Sequence, residues 1–430
     1  MTQALPGELA RAGAQDSGLF WRFWAAAMVS QSGTAITTIA MPLLAVLTLR
    51  ASTFEVAMLT VAGDIAWLVI ALPAGVMVGR LPLRGTQVAM DVIRAVAVLS
   101  IPLVAVLHGL RFAQLVIVEL IIGLATVIFD VGNSAYLPAI VSEDELAGRN
   151  SLISGSYSTV QLGGPSLAGL LVQLAGAPFC LLLDGTSYIA SAVLLRSLPR
   201  PSSSTQPGAP GRAGQATGPT PVRISDGLRY VFQDKVIRAC TGAATLIGLT
   251  AGALTAMIPV YLVRSLGAPA GLVGVLIAAD GVGGILGAAV TTRLSRRFGS
   301  AQAVLLSAAC AALSVPLLAL APHGWGLIVF GAGSVGFAAG VTVLSVLTRT
   351  HRQTSIPGKM LPCVMVTVRF VSWGASPVGA LAAGAASAAV GLHPTLWITC
   401  APALLIPVVL WLSPVRRQRD LTDRHSLRPG

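Results

Sequence analysis

Apolar residues along this chain run in long blocks, with no sustained two-residue alternation. Outside one central segment, almost every stretch of about 20 residues is apolar and free of charge, enough as a helix to cover a hydrocarbon core about 30 Å thick. Twelve such blocks occur, at 22–47, 55–78, 87–107, 113–139, 151–174, 178–195, 237–262, 271–291, 302–321, 325–347, 363–389 and 393–413. Backbone groups in lipid must be satisfied within a helix or a closed barrel, and a barrel would show alternating segments of about 10 residues. The pattern predicts an all-α membrane protein with twelve transmembrane helices.

One segment breaks the pattern. Residues 197–222 (SLPRPSSSTQPGAPGRAGQATGPTPV) are rich in Pro, Gly, Ser and Thr, the composition of a flexible linker. The chain then divides into an N-terminal six-helix half at 1–196, a linker at 197–236, a C-terminal six-helix half at 237–415 and a tail at 416–430. Within the linker region, ISDGLRYVFQDKVIRA (224–239) looks amphipathic, as expected of a helix lying on the cytoplasmic interface. Landmark residues recur between the halves: Gly75 with Gly287 and Pro165 with Pro377 at an offset of 212, Pro42 with Pro259 at 217. The two halves are predicted to be pseudo-symmetric copies.

Composition agrees: 54% of residues are hydrophobic and 10% charged, against about 25% charged in soluble domains. The net charge of +12 would suggest nucleic acid in a soluble protein, but the placement of the charges argues otherwise. Of 28 Lys and Arg, only Arg50, Arg111 and Arg264 fall in odd-numbered connections, and Arg94 and Arg369 fall inside blocks. The other 23 lie at the termini and in even-numbered loops, or, as Arg22 and Arg238 do, at the adjoining edge of a block, and the positive-inside rule makes those faces cytoplasmic. Both termini are therefore expected in the cytoplasm, on a plasma-membrane protein with no nucleic-acid partner. The first block, from about Phe20, runs past 25 residues without a small-residue cleavage site and reads as a retained helix. Five cysteines stand singly, without CxxC or nearby His, so no metal site is expected.

The loop between blocks two and three reads GVMVGRLPLRG (75–85), and its counterpart in the second half reads GAAVTTRLSRRFG (287–299). Each puts a glycine in the helix end and arginines in a tight turn. Block five carries LGGPSLAGLLV (162–172), loosely repeated in block eleven as WGASPVGALAAG (373–384), where small residues permit close helix approach and proline frees a carbonyl. These features resemble the major facilitator superfamily. Gly75, Arg80 and Arg84 match its G-x-x-x-D-R-x-G-R-R loop, although Gly79 stands where that family usually has Asp, and Gly164 and Pro165 resemble its antiporter motif. Three further segments, 129–152, 181–195 and 349–379, resemble the drug and siderophore exporter branch, which includes macrolide efflux and enterobactin exporter proteins. One departure is Leu361-Pro362-Cys363, where that branch tends to have a Gly-Arg pair.

Charge inside the blocks carries the remaining chemistry, because an ionised side chain in hydrocarbon costs at least several kcal/mol. Asp64, Glu119, Asp130 and Asp280 are candidates for proton coupling. Glu119 and Asp130 are 11 residues apart, which places them within about 20° on one helix face and about 16 Å apart along it, with Gly123 and Thr126 on the same stripe. Asp64 lies about ten residues into its block, deep enough to load and unload a proton between two bulk phases, or to make a structural hydrogen bond. Asp91 and Arg94, three apart, are expected to pair locally, and with Arg369 and Pro377 they join the loop and proline motifs as candidates for gating. Asp184 is expected to organise a helix end. Gln31, Thr34 and Thr38 form a polar stripe that, with Trp67 and Trp373, could line a substrate cavity.

No nucleotide-binding loop, catalytic triad or nucleophile elbow appears, so the chain is expected to be neither an enzyme nor ATP-driven, and to need no cofactor. The resemblance implies a secondary exporter that carries amphiphilic small molecules (drugs, antibiotics or siderophores) outward against protons, by alternating access of its two halves, and a monomer is expected. A proton-coupled nutrient importer and a non-transporting membrane sensor are the alternatives.

Overall fold

The computed structural model describes the backbone of residues 6–141, 143–198, 224–321, 326–356 and 360–421. Side chains at 6–17, 71–80, 135, 138, 139, 143, 144, 147, 224–227 and 362 lie outside the described residues. Among the described residues there is no strand. The helices are α1 (Pro6–Leu47), α2 (Thr53–Arg80), α3 (Leu83–Val106), α4 (Phe112–Ile140), α5 (Glu143–Ala175), α6 (Ala177–Arg196), α7 (Ile224–Gln233), α8 (Lys235–Val260), α9 (Ala270–Phe298), α10 (Ser300–Leu320), α11 (Gly326–Ser355), α12 (Leu361–Val390) and α13 (Leu392–Trp411). A π turn over Tyr261–Ser265 prolongs α8, and a 3-10 turn over Pro414–Arg417 follows α13.

Each predicted block is a helix, but among the described residues eleven helices, not twelve, are long and apolar enough to cross a membrane. The exception is α5, whose 33 residues suffice in length while its apolar positions are diluted by Ser, Thr, Gln and Gly. The amphipathic segment after the linker forms α7, and residues 199–223 lie outside the described residues. Prolines 42, 102, 165, 259, 316, 377, 402 and 407 sit inside helices, as is tolerated where neighbouring helices and Ser or Thr side chains re-satisfy the freed backbone.

The chain packs as two compact units, Met1–Leu44 with Ile65–Gly218, and Ala45–Asp64 with Pro219–Gly430. In the first, α3 packs against α4 and α6. In the second, α10 packs against α11 and α13, α9 against α11, and α8 against α12 and α13. The stretch 45–64, which turns from α1 into α2, belongs to the second unit: Ala57 shares a buried cluster with Ala256 and Ala380, and Arg264 donates to the Ala51 carbonyl at 2.7 Å.

The predicted duplication is visible in the burial pattern. In α6 the positions 180, 181, 184, 185, 188, 191 and 195 are buried, and in α13 the positions 395, 396, 399, 400, 403, 406 and 410 are buried, each 215 residues later. The turn into both helices is a glycine with positive φ, Gly176 at 85° and Gly391 at 90°, a conformation that costs other residues a Cβ clash. On α3 nine of the ten buried positions are matched on α10 at an offset of 217, so that Gln87, Asp91 and Arg94 correspond to Val304, Ala308 and Ala311.

Close helix approach in the second unit depends on glycine. A Cβ on Gly340 of α11 would lie 2.6 Å from the Ser307 carbonyl oxygen and 2.8 Å from the Ala311 nitrogen, both backbone atoms of α10. Gly340→Leu is expected to destabilise the protein by about 1–3 kcal/mol through overpacking, read as a lowered Tm in detergent. Gly155→Ala, at a helical position with open space around it, should not lower Tm and should raise it slightly, by about 0.4–1 kcal/mol of stability.

Candidate functional site

The interior of the first unit holds charge. Asp91, Arg94 and Asp184 are 0%, 2% and 0% exposed, although α3 and α6, which carry them, are mainly apolar. Arg94 pairs with Asp91 one turn away on α3, as the three-residue spacing predicts. Its guanidinium lies 4.2 Å from the centre of the Phe129 ring and 4.5 Å from that of Tyr188, so aromatic faces supply part of the solvation that water would.

Asp184 does not organise a helix end. It is the eighth residue of α6, where Thr37 of α1 donates to one carboxylate oxygen and Ser187 donates to the other at 3.3 Å. The approach of α1 requires Gly33, because a Cβ there would sit 2.9 Å from the Ser187 Cβ and collide with the Asp184 carboxylate. One turn further along α6, Tyr188 shares a hydrogen bond with Thr34 at 2.9 Å. Of the polar stripe on α1, Thr34 therefore reaches this cluster, Gln31 is half-buried, and the exposed Thr38 bonds back to the Thr34 carbonyl.

The cluster is only partly satisfied. Arg94 Nε and both amide atoms of Gln87 are buried without a hydrogen-bond partner among the described residues. Two carboxylates also face a single guanidinium, which leaves one negative charge unmatched when all three are ionised.

The second unit holds a cavity of about 800 Å³. Its walls are single faces of three helices at three- and four-residue spacing: Ala244, Ile247, Gly248 and Ala251 of α8; Val341, Leu344, Ser345, Thr348, Arg349 and Arg352 of α11; Met365, Val368, Arg369, Ser372, Trp373 and Ser376 of α12. Asp64 closes it from α2, accepting a hydrogen bond from Ser376 at 2.7 Å. Arg369 lies over the Trp373 ring at 4.9 Å. A space of about 960 Å³ at the ends of α8 and α13, lined by Lys235, Arg238, Arg416 and Arg417, shares no lining residue with this cavity.

Of the four acids singled out for proton coupling, Asp64 alone lines this cavity. Glu119 and Asp130 are half-buried on α4, as are Gly123 and Thr126 between them, in keeping with one stripe. Asp280 is exposed on α9 with the Ser334 hydroxyl beside it. Among the gating candidates, Arg84 donates to the carbonyl of Arg196 at the end of α6, and Gly164 lets α5 approach α1, since a Cβ there would lie 2.7 Å from that of Ala35. Pro165 and Pro377 lie inside α5 and α12. Gly75 and Arg80 fall in α2, but their side chains lie outside the described residues. Trp67 is half-buried on α2. Sequence reasoning missed the cavity role of Arg349 and Arg352, which passed as topology-setting arginines; their spacing of three on one apolar helix was the available signal.

A sequence profile described as transmembrane secretion effector matches residues 14–428. The multidrug efflux pump Tap of Mycolicibacterium fortuitum is 26% identical over 412 residues, 93% of this chain and 96% of that protein. Tap of Mycobacterium tuberculosis (strain ATCC 25618 / H37Rv) is 24% identical over 421 residues, 94% and 95% of the two chains. Among solved structures, the nucleoside transporter NupG superposes with a TM-score of 0.75 at 10% identity, covering 91% of this chain and 98% of that one. A bacterial homologue of the iron transporter ferroportin, in its inward-facing state, gives 0.73 at 17% identity, with 91% and 97% covered. These likenesses show the fold of a membrane transporter.

The charged cluster makes a distinct prediction. Arg94→Leu strands two buried carboxylates and should destabilise the protein by about 3–5 kcal/mol, whereas Asp91→Asn combined with Arg94→Leu should cost clearly less than the single change. Thermal unfolding of the purified variants in detergent checks the order.

Proposed function

The chain belongs to the transmembrane secretion effector family of the major facilitator superfamily, and on that premise we propose that it exports drug-like amphiphilic molecules across the plasma membrane in exchange for protons. The observation that carries the proton part is the buried trio of Asp91, Arg94 and Asp184. Two carboxylates against one guanidinium become electroneutral when one proton binds, so proton uptake and release change the charge of the core of the first unit by one. Asp184 is the acid assigned to that proton, because Asp91 is already engaged with Arg94 while Asp184 is held only by hydroxyl groups. The proton moves on or off a carboxylate oxygen to which Thr37 or Ser187 can reorient, so no covalent chemistry is required.

The reading as an exporter is supported by the Tap relatives, which match this chain end to end. Alternating access supplies the transport cycle: the site is exposed to one side of the membrane at a time, and the protonation state of the first unit biases which side. Substrate binding falls to the mainly apolar cavity of the second unit, where Trp373 offers an aromatic face. With both termini in the cytoplasm, as the arginine distribution implies, the arginine-bearing ends of α11 and α12 face the side from which substrate is loaded.

The test is proton movement driven by substrate in proteoliposomes, screened over antibiotics with a pH-sensitive dye inside. Wild-type protein should move protons when a transported compound is added on the opposite side. Asp184→Asn should lower substrate-driven proton flux at least about tenfold while substrate binding persists, and Asp64→Asn should change substrate affinity more than proton flux. Full coupling in Asp184→Asn would remove it as the carrier. Flux that runs inward with an imposed pH gradient would replace export with import.

A further inference from the structure

We propose that the cavity of the second unit is built to hold an anionic group on an apolar body, so that the transported compounds include amphiphilic anions bearing a carboxylate, sulfonate or phosphate. This rests on the exporter reading for the word transported, but the binding itself does not depend on it. The observation behind it is Arg352. Its side chain is 8% exposed and lines the cavity, and its guanidinium Nε and Nη1 are buried without a hydrogen-bond partner among the described residues. A buried charged donor left unbonded is costly, and a ligand anion is the partner that repays it.

The surroundings point the same way. Arg349 stands one turn from Arg352 on the same face of α11 and also lines the cavity, so two like charges converge, with no carboxylate between them among the described residues. Cys240 of α8 is the other titratable group near Arg352 and is fully buried. Arg369, over the Trp373 ring, adds a third guanidinium to the lining. Against these three the cavity offers one acid, Asp64, already engaged by Ser376.

The charges are also sorted along the cavity. From Arg352 to Val341 the lining face of α11 spans 11 residues, about 16 Å, running from a basic end to an apolar one. Ala244, Ile247, Gly248 and Ala251 face it from α8, and Val368 and Met365 from α12. An amphiphile with its anion at Arg349 and Arg352 and its apolar body along Leu344 and Val341 would match both ends. Arg presents paired donors in a planar fork suited to carboxylate, sulfonate and phosphate oxygens.

The experiment uses the full chain in phosphatidylcholine nanodiscs, titrated with anilinonaphthalene sulfonate and with N-phenylnaphthylamine, which shares its aromatic body and lacks the sulfonate. Empty nanodiscs give the lipid background. The sulfonate should bind saturably and at least about tenfold tighter than the neutral probe, the scale of one charge-assisted hydrogen bond. Arg352→Gln should erase that difference and Arg352→Lys should keep part of it. If Arg352→Gln does not yield folded protein by gel filtration, Arg349→Gln, at an exposed position, decides by the same criterion. Equal affinity for the two probes, or no loss in the arginine variant, overturns the inference. Phosphatidylglycerol in the nanodisc that displaces the sulfonate would assign the site to a lipid head group and overturn the substrate reading. Loss of proton-coupled flux with probe binding intact would instead count against the exporter reading alone.

Discussion

Hydrocarbon forms no hydrogen bonds, and the whole architecture follows from that single deficiency of the solvent. Every backbone group along a span must find its partner inside the chain, which leaves helices as the economical answer and lets prolines persist only where a neighbour restores what they remove. Between helices there is little hydrophobic drive, because lipid tails are as apolar as leucine, so packing relies on close approach and on hydroxyl groups that bond within their own helix. Gly340 against the Ser307 carbonyl, Gly33 against Asp184, and the run of Ser and Thr that bond to carbonyls four residues back are instances of the same economy. The constraint bears hardest on ionised groups. Where they occur in the spans, the fold has to arrange their partners.

The same constraint explains which features could be read from the residues alone. Helix number and position were legible because blocks of apolar residues are long and the gaps between them short, and the duplication was legible through Gly75, Pro42 and Pro165 with their counterparts. The pairing of Asp91 with Arg94 followed from local spacing, which a helix enforces without help from tertiary structure. Asp184 was misjudged for the opposite reason. Its environment is set by Thr37, which is 147 positions away in the chain, and by a glycine on α1, and no local pattern announces either. Arg349 and Arg352 were legible as cytoplasmic charge, but whether a guanidinium near a helix end faces headgroups or a cavity depends on which neighbours flank it, here α8 and α12. Only the apolar content of α5 falls below that of the other eleven among the described residues, because Ser, Thr, Gln and Gly occupy many of its positions.

Charge is divided unevenly between the two units. The interior of the first carries an excess of carboxylate, with Asp91 and Asp184 around one arginine, while the cavity of the second carries an excess of guanidinium, with Arg349, Arg352 and Arg369 against Asp64. Opposite excesses suit opposite cargoes: a proton for the first, an anionic group for the second.

The duplication provides an internal comparison for the charged core. The second unit packs α10 and α13 with the same buried positions as α3 and α6, but where the first has Asp91, Arg94, Asp184 and Tyr188, the second has Ala308, Ala311, Thr399 and Ala403. All four of those replacements are buried, with Ala308, Ala311 and Ala403 fully so. The helix arrangement is therefore compatible with small uncharged side chains throughout, and the charges in the first unit are not a requirement of the architecture. Among the described residues the charged core also leaves buried atoms of Gln87 and Arg94 without a hydrogen-bond partner, a cost in a medium that cannot relieve it. Charge at positions that the corresponding helices fill with small residues is therefore separate from what holds these helices together.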